Sequence, residues 1–379
     1  MHVISDLKVA GAQVQLRSVL RYSRHECHVI ALNKPEPIGA ILRDDGIQVR
    51  DLAMSSSMQL SALPRLWHLM RHGQYDVAHV HAYRSQVYGR PAARLAGIPV
   101  VISTEHSIGE THIEGRRKTT GLRALHLGTG LFSDMTIAVT PVVRDRLLDW
   151  GISDRKLTVI PNGVDLERVA FDITARAQIR AEFGIGAGDY VIGTLGRLDS
   201  NKQFHLVIEA SAPLLRTGVT LLIVGAGDER VRLQETAERC GIACNVVFAG
   251  ERNDVGAMLS AMDLFVAPSR EETFGLSVVE ALANGVPVLY TTCPALDGLD
   301  VRQARKIPGT VKGIYDALVS EISAGPRKRR PEPTVQLQYN AQAVAARIDE
   351  LYERLTARRS SLRKSWTATP ASRMAGRRP

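Results

Sequence analysis

Cysteine and long hydrophobic runs are both scarce in this chain of 379 residues. Its four cysteines, Cys27, Cys240, Cys244 and Cys293, have neither the spacing of a zinc finger nor the density of a disulfide scaffold. No apolar run approaches the roughly 20 residues that a membrane-spanning helix needs. At the N-terminus, polar residues stand where a signal peptide would place its apolar stretch. We therefore expect a cytoplasmic protein with reduced thiols.

Several catalytic motifs are also missing. The chain contains no Asp-any-Asp pair of the kind that holds a divalent ion in metal-dependent sugar transferases, no Walker A loop and no serine nucleophile elbow. The three-glycine dinucleotide fingerprint is absent too, which argues against an NAD-dependent dehydrogenase. With 45% hydrophobic and 23% charged residues, the composition is that of a globular protein, and the length suits about two domains.

The net charge of +9 originates near the C-terminus. Eleven lysines and arginines lie within 327–330 and 358–379, with no acid after Glu353, so the rest of the chain is close to neutral. We predict that 358–379 is a disordered basic tail. Weak contact with an anionic membrane surface is an alternative role for the basic segments, and no nucleic acid partner is expected.

Short runs of apolar and β-branched residues alternate with helical patterns along the chain. The predicted strands lie at 2–7, 28–32, 77–81, 100–103, 136–139 and 158–160, and again at 190–195, 220–224, 246–249, 264–267 and 286–290. Strands buried on both faces and separated by helices imply parallel sheets. The pattern predicts an α/β protein with two doubly wound, Rossmann-like domains, and a last amphipathic helix at 341–357.

Three glycine turns follow predicted strands, at the edge where open α/β sheets bind ligands. Gly11 opens a helix, so its backbone and the helix end can receive an anionic group. Gly196 and Arg197 end a strand, and Lys202 follows; fixed cations of this kind neutralise a departing diphosphate without a metal. Gly225 lies in the third turn. Ordinary tight turns and a solvated loop are the competing interpretations.

The most informative segment is 267–281. An apolar strand leads into a loop that contains Glu272, and a helix that begins near Gly275 carries Glu280. The two acids can hold different hydroxyl-bearing parts of one polar ligand, and the helix N-terminus offers free N–H groups to an anion. Glu280 lies in the apolar run 276–282, where an unpaired acid would be costly. A helix-end charge at Glu272 and a surface acid at Glu280 are the simpler alternatives.

Histidines cluster at predicted strand ends. His79 and His81 end one strand, and His106 follows the next. A metal site is one interpretation, but no Cys or Asp lies at ligand spacing, so hydrogen-bonding roles are favoured and no metal is expected. His106 has the better position for a role in a binding site.

These segments together resemble the donor site of family 4 retaining glycosyltransferases, which have the GT-B fold. The resemblance is carried by the segment from Glu272 to Glu280 with its continuation Ala-Asn-Gly-Val-Pro-Val at 283–288, by Pro-Asn-Gly-Val-Asp at 161–165, by Gly196, Arg197 and Lys202, and by the turn at Gly11. It covers residues 3–291 and the final helix. It implies two domains that face each other across a cleft, a UDP- or GDP-linked sugar donor, and no cofactor.

The resemblance also implies roles for single residues. Arg197 and Lys202 match the clamp on the donor diphosphate. Glu280 matches the acid that holds the ribose hydroxyls, and Glu272 matches the acid that contacts the transferred sugar. His106 matches a histidine near the reaction centre. The residues implied as catalytic are His106, Arg197, Lys202 and Glu272, and further donor contacts are implied for Gly11, Gly196, Gly225, Phe274, Gly275 and Leu276.

The domain boundaries follow from the same resemblance. We expect an acceptor-side domain at 1–165, a nucleotide-sugar domain at 166–325, a connector rich in proline and arginine at 326–340, a helix at 341–357 that returns to the first domain, and the tail at 358–379. The chain departs from the family's pattern at two positions. Ala10 stands where the family often has a glycine, and 292–310 replaces a glycine-rich loop of the family.

The predicted function is transfer of a hexose or amino-hexose to an acceptor hydroxyl with retained configuration, in bacterial polysaccharide, glycoconjugate or natural-product biosynthesis. The acceptor is a sugar, a glycolipid or a natural-product aglycone. The basic loop 109–123 suits an anionic acceptor or a membrane surface, which would place the protein at the inner face of the membrane; a solvated, mobile loop is the simpler alternative. A catalytically silent GT-B scaffold that binds a nucleotide sugar or a partner is the alternative.

Overall fold

The computed structural model describes residues 1–56, 59–215 and 218–367, and they form two parallel sheets with helices on both faces. The strands of the first domain are β1 His2–Ile4, β2 His28–Ala31, β3 Gln48–Asp51, β4 Val77–His81, β5 Val100–Glu105, the hairpin strands β6 His112–Ile113 and β7 Arg116–Arg117, β8 Met135–Ala138 and β9 Leu157–Val159. Its helices are α1 Gly11–Tyr22, α2 Ile38–Asp44, α3 Ala62–His72, α4 Ala82–Leu95, α5 Thr120–Gly130 and α6 Pro141–Asp149. The sheet order is β3-β2-β1-β4-β5-β8-β9.

The second domain repeats this architecture. Its strands are β10 Tyr190–Leu195, β11 Val219–Val224, β12 Val246–Gly250, β13 Leu264–Ala267, β14 Val288–Tyr290 and β15 Ala304–Lys306, in the order β12-β11-β10-β13-β14-β15. The remaining helices are α7 Ile173–Glu182, α8 Phe204–Ser211, α9 Arg230–Arg239, α10 Val255–Ala261, α11 Leu276–Asn284, α12 Val311–Ala324, α13 Pro333–Gln338 and α14 Ala341–Thr367. Both orders reverse direction once, as doubly wound sheets do, which confirms the predicted fold class.

Four strands were missed in the sequence: β3 and β15, which lie at edges of the two parallel sheets, and the two-residue hairpin strands β6 and β7. β3 has the sequence Gln-Val-Arg-Asp and β15 has Ala-Arg-Lys, and neither contains a fully buried residue. An edge strand is solvated along one side, so it lacks the apolar run that identifies a central strand. The central strand β5, in which every residue is buried, shows the contrast.

The chain crosses between the domains twice, and the two crossings pair with each other. The Val164 amide donates to the Tyr339 carbonyl at 2.6 Å, and the Ala341 amide donates to the Val164 carbonyl at 3.0 Å. A Cβ atom on Gly163 would lie 2.7 Å from the Ala341 Cα, so only glycine permits this approach. The Gly163 amide also donates to the Gln15 side chain at 2.8 Å, which ties the crossing to α1.

Helix α14 returns across the boundary and packs on the first domain. Its apolar face lies against α1 and the strands β5 and β8, and consists of Val344, Ile348, Leu351, Tyr352 and Leu355. The Asp349 carboxylate on the same helix is fully buried and accepts hydrogen bonds from the Ser23 hydroxyl and the Arg24 amide, each at 2.8 Å. In the described part of the chain, no helix has both the length and the apolar character to cross a bilayer.

The C-terminal segments differ from the sequence-based expectation at two points. The connector contains the helix α13, and its Arg329 is anchored, donating to the Asn284 side chain at 2.6 Å. Helix α14 continues to Thr367, ten residues into the segment predicted to be a disordered tail. Residues 358–367 contain no proline or glycine to end a helix, and Arg359 pairs with Asp134. The rest of that predicted tail, 368–379, lies outside the described residues.

We predict that Asp349→Ala lowers the free energy of unfolding by about 2–4 kcal/mol, because it leaves the donors at Ser23 and Arg24 without their buried acceptor. Urea unfolding measures the change. The matched control is Glu350→Ala, one position along the same helix and exposed, for which we expect a change within about 0.5 kcal/mol. Equal losses for the two variants would show that the buried carboxylate does not hold α14 in place.

Candidate functional site

The loops that follow the strands of both sheets meet in one cleft. From the second domain, the Thr273 hydroxyl donates to the His106 carbonyl at 2.6 Å, directly after β5. From the first domain, the Thr140 hydroxyl donates to the Thr273 carbonyl at 2.9 Å, directly after β8. These reciprocal bonds join the carboxyl-end loops of the two sheets, which is where α/β folds place their ligands.

A second cross-cleft contact lies beside the first. The Glu271 carboxylate binds the Arg146 guanidinium at 3.1 Å and accepts a hydrogen bond from the Glu110 amide, both in the first domain. The Glu271 carbonyl accepts from the Asn201 side chain at 2.8 Å within its own domain. Glu272 therefore lies between two residues, Glu271 and Thr273, that are both anchored to the opposite domain.

Lys202 and Glu272 form an ion pair inside this cleft. The Lys202 Nζ lies 2.5 Å from the Glu272 Oε1, and both side chains are largely buried. Arg197 lies differently: its Nε donates to Asp199 at 2.6 Å, and its side chain is 72% exposed. The lysine is thus held inside the cleft, whereas the arginine lies at its exposed rim, paired with Asp199.

Two helix N-termini face each other across the cleft. A Cβ atom on Gly11, the first residue of α1, would lie 3.9 Å from the side chain of Leu276, the first residue of α11. Neither helix has a side-chain N-cap. The amides of the first two residues of each helix have no hydrogen-bond partner among the described residues. Unsatisfied amides and two positive helix ends favour an anion here.

Local packing explains why α11 begins where it does. Gly275 precedes the helix with a φ of +96°, and a Cβ there would lie 2.5 Å from the Cys293 sulfur. Phe274 is buried and packs its ring edge-on against Tyr339, with centroids 5.3 Å apart. The Phe274 side chain therefore belongs to the core. Any contact between Phe274 and a ligand in the cleft would be made by its backbone.

Glu280 is a buried acid without a partner. It lies on α11, is 7% exposed, and receives no hydrogen bond from any group in the part of the chain that the structure describes. Burial raises the pKa of Glu280 to about 7, against the opposing effect of the positive charge on Arg168. An unsatisfied buried carboxyl is costly, so this position suits a ligand that brings hydrogen-bond donors.

His106 ends a row of histidines beneath the cleft. Its Nε2 lies 3.5 Å from the His81 Nδ1, and the His81 Nε2 lies 3.0 Å from the His2 Nδ1. Burial lowers the pKa of His106 to about 4, so the ring is neutral at physiological pH. Its Nδ1 is buried and has no partner among the described residues. It can therefore exchange a hydrogen bond with a ligand in the cleft.

The other histidines are occupied within the protein. Ring nitrogens of His2, His79 and His81 lie within 4.8 Å of one another, close enough to share an ion. Both nitrogens of His79, however, lie 2.6 Å from hydroxyl groups, of Tyr352 and Thr104. Burial lowers the pKa of all three rings. The arrangement fits hydrogen bonds that join β4 and β5 to α14.

The glycine turns of the second domain stack on each other. Gly225 has a φ of +139°, and a Cβ there would lie 1.9 Å from the Gly196 carbonyl. Packing between the two turns thus requires a glycine at position 225, whether or not a ligand contacts that turn.

The structure brings Lys202, Glu272 and the loop around His106 together, with Gly11 and Leu276 opposite each other. Glu280 lies about one turn along α11 from Leu276. Sequence reasoning missed the anchors of the loop, Arg146, Thr140 and Glu271. The only signal for them was the pair of consecutive acids at 271–272, since partners more than a hundred residues apart cannot be read from spacing.

Two family models match the chain, one in each domain. The model described as Glycosyltransferase Family 4 matches residues 13–168, and the model described as Glycosyl transferases group 1 matches residues 175–298.

Characterised relatives extend over much of the chain. It is 28% identical over 313 residues to the UDP-Gal:alpha-D-GlcNAc-diphosphoundecaprenol alpha-1,3-galactosyltransferase of Escherichia coli, covering 76% of this chain and 80% of that protein. It is 32% identical over 250 residues to the D-inositol 3-phosphate glycosyltransferase of Mycobacteroides abscessus, covering 62% of this chain and 55% of that protein. HepE from Anabaena, solved with UDP and glucose, superposes with a TM-score of 0.80 at 20% identity, covering 93% and 98%.

We predict that Glu280→Gln removes part of the pH dependence of stability. The folded-state pKa of about 7 exceeds the ordinary value of 4.5. The folded protein therefore binds this proton more tightly, and the resulting stabilisation is complete below pH 4.5 and is lost as the pH rises to 7. Relative to the variant, the wild type should lose on the order of 1–3 kcal/mol of unfolding free energy over that interval.

Urea unfolding of both proteins between about pH 4.5 and 8 measures this difference, because other titrating groups cancel in the comparison. Glu238→Gln, which changes an exposed acid on α9, should follow the wild type at every pH. A difference between the wild type and Glu280→Gln that does not vary with pH would contradict the raised pKa.

Proposed function

Because this chain belongs to the glycosyltransferases of the GT-B fold and uses a nucleotide sugar as its donor, we propose that it transfers a hexose or amino-hexose to an acceptor hydroxyl with retention of the anomeric configuration. The observation that carries the proposal is the meeting of two uncapped helix N-termini across the cleft, at Gly11 and Leu276. Such a site suits a diphosphate held between the two domains.

The diphosphate is the leaving group, and its charge is neutralised by this chain's own groups. Amides of α1 and α11 receive the phosphate oxygens, and Lys202 supplies a fixed positive charge close by. Arg197, exposed at the rim and paired with Asp199, adds a second positive charge. Charges placed before the reaction stabilise the departing group without reorganisation, so we propose that no metal ion is needed.

Glu280 binds the nucleoside. Its carboxylate has four acceptor sites, and two vicinal ribose hydroxyls supply the donors that the protein itself does not. Burial makes those hydrogen bonds strong, since the alternative is an unsatisfied acid. Donor binding should therefore favour the ionised form of Glu280 and lower its pKa from about 7.

Glu272 and His106 position the transferred sugar. From its fixed position Lys202 also neutralises the arriving diphosphate, and the remaining acceptor sites of the Glu272 carboxylate receive hydrogen bonds from sugar hydroxyls. The neutral His106 lies on the opposite wall with Nδ1 available. The departing phosphate takes the proton of the acceptor hydroxyl on the same face of the sugar, so the new bond forms on the face from which the old one breaks, and no opposing base is required.

We further propose a UDP-linked donor and a lipid-linked acceptor. The Escherichia coli relative is named for a UDP-galactose donor and for an acceptor carried on diphosphoundecaprenol, and HepE was solved with UDP. A reaction of this kind places the protein in the cytoplasm at the inner face of the membrane, in the assembly of a surface glycan.

The test is transfer and hydrolysis of a panel of UDP- and GDP-sugars, followed by mass spectrometry. We expect turnover of a UDP-hexose or UDP-amino-hexose that EDTA leaves unchanged, and an α-linked product by NMR from an α-linked donor. A β-linked product would overturn the retaining mechanism, and activity restored only by Mn²⁺ or Mg²⁺ would overturn the metal-independent site. Binding of UDP without any turnover would favour a silent scaffold instead.

We predict that substitutions of the two acids, Glu280 and Glu272, change different kinetic constants. Glu280→Ala should mainly raise the donor KM and the Kd for UDP, because it removes the nucleoside contact. Glu272→Ala should mainly lower kcat, because the sugar is no longer positioned in the transition state. Lys202→Ala should lower kcat most, by about 10²-fold or more. Steady-state kinetics and UDP titration separate the effects, and identical profiles for the two glutamate variants would refute this division of roles.

A further inference from the structure

The outer face of α3 is basic and carries exposed apolar side chains. Residues 59–72 contain no acid. Trp67 is 38% exposed, and Leu60, at the start of the segment, is 85% exposed. The charged and polar members of this face, all exposed, are Arg65, His68, Arg71 and His72. The opposite side of the helix, with Leu66 and Met70, is buried against the sheet.

The hairpin β6–β7 continues this surface at the rim of the cleft. Arg116 and Arg117 at its tip are exposed. Arg84, at the start of α4, joins the two parts: its amide donates to the hairpin's Glu114 at 3.2 Å, and its guanidinium donates to the Ser56 carbonyl ahead of α3 at 3.0 Å. Helix α4 packs between α3 and α5. We call α3's outer face together with the hairpin tip the basic face.

The arginines of the basic face are free to bind a partner. Among the described residues, the guanidinium groups of Arg65, Arg71, Arg116 and Arg117 have no hydrogen bond and no ion pair. Elsewhere arginines are commonly engaged in contacts within the protein, as Arg146 is with Glu271. A cluster of unpaired cations produces a positive potential that attracts an anionic surface.

A second exposed apolar patch lies at the opposite edge of the sheet. Unlike the basic face, it has neighbouring cations that are bound within the protein. Leu131 and Phe132 precede β8 and are 78% and 40% exposed. The neighbouring cations are already used: Arg94 and Arg359 bind Asp134, and Lys156 donates to the Ser133 carbonyl at 3.0 Å. This patch also faces away from the cleft, because it lies at the amino ends of the strands.

We propose that the basic face docks on an anionic lipid bilayer, with Trp67 and Leu60 entering the headgroup region. An amphipathic helix with arginines and a tryptophan on its exposed side binds in the plane of such a surface, and the arginines attract anionic lipids. Docking by this face holds the rim of the first domain, and with it the cleft, against the membrane. The inference rests on the proposed function, because holding the cleft against the membrane brings it to the acceptor only if that acceptor is lipid-linked.

The experiment is co-sedimentation of the full chain with vesicles of phosphatidylcholine, with or without about 30% phosphatidylglycerol. We expect binding to the anionic vesicles only, weakened by high salt. Arg65→Glu/Arg71→Glu and Trp67→Ser should each reduce the vesicle partition coefficient by at least about tenfold. The matched control, Arg232→Glu/Arg239→Glu on α9, makes the same change in net charge at exposed positions of the second domain and should bind as the wild type does. Thermal melts confirm that each variant is folded.

Four results would overturn the inference. An equal loss in the α9 control would show that net charge alone acts. Loss of binding in Leu131→Ser/Phe132→Ser, with none in the α3 variants, would assign docking to the opposite edge. Loss on removing 368–379 alone would assign it to that segment. Binding to heparin or RNA but not to vesicles would indicate a polymeric partner.

Separate measurements test the docking surface and the enzyme activity. Hydrolysis of the UDP-sugar is measured without vesicles, and we expect the α3 variants to retain it within about twofold, because they lie outside the cleft. Turnover without vesicle binding would leave the enzyme assignment intact and refute docking. Vesicle binding without turnover of any donor would refute the enzyme assignment and leave the surface in place.

Discussion

The pairing of the two interdomain crossings fixes the geometry of everything else in the cleft. Gly163 lets the second crossing approach so closely that Val164 exchanges backbone hydrogen bonds with the segment at Tyr339–Ala341. The same stretch binds α1 through the Gly163 amide and through an Asp165–Arg21 ion pair at 2.9 Å. Helix α1 begins at the cleft, so the hinge and one wall of the binding site form a single connected unit. A side chain at position 163 would disturb both together.

The opposite wall depends on both domains at once. Glu272 belongs to the second domain and pairs with Lys202 there, but the residues on either side of it are bonded to the first domain. The loop that carries Glu272 is therefore held in place from both domains at once.

The sequence predicted every central strand but only two of the four edge strands of the parallel sheets, β9 and β12, and the two failures have a physical reason. A strand buried on both faces, such as β5, must be apolar throughout, whereas an edge strand such as β3 is stabilised by backbone pairing that leaves no compositional trace. The residues of the candidate site also fall into a group that the sequence reveals and a group that it does not. Glu280 and Lys202 stand in motifs whose order along the chain can be recognised. Arg146 acts on Glu271 from 125 residues away, and no local pattern reveals such a contact.

The position of α14 sets the order in which the molecule can be completed during synthesis. Val100 and Ile102 in β5 and Ile137 in β8 are covered by side chains of α14 that are translated about 210–255 residues later. Until the last helix has left the ribosome, one face of the first sheet stays apolar and open. Surfaces of that kind attract chaperones and drive aggregation of incomplete chains. A helix translated later thus seals a domain translated earlier, and a chain that stops short of residue 341 is exposed to quality control with that domain unfinished.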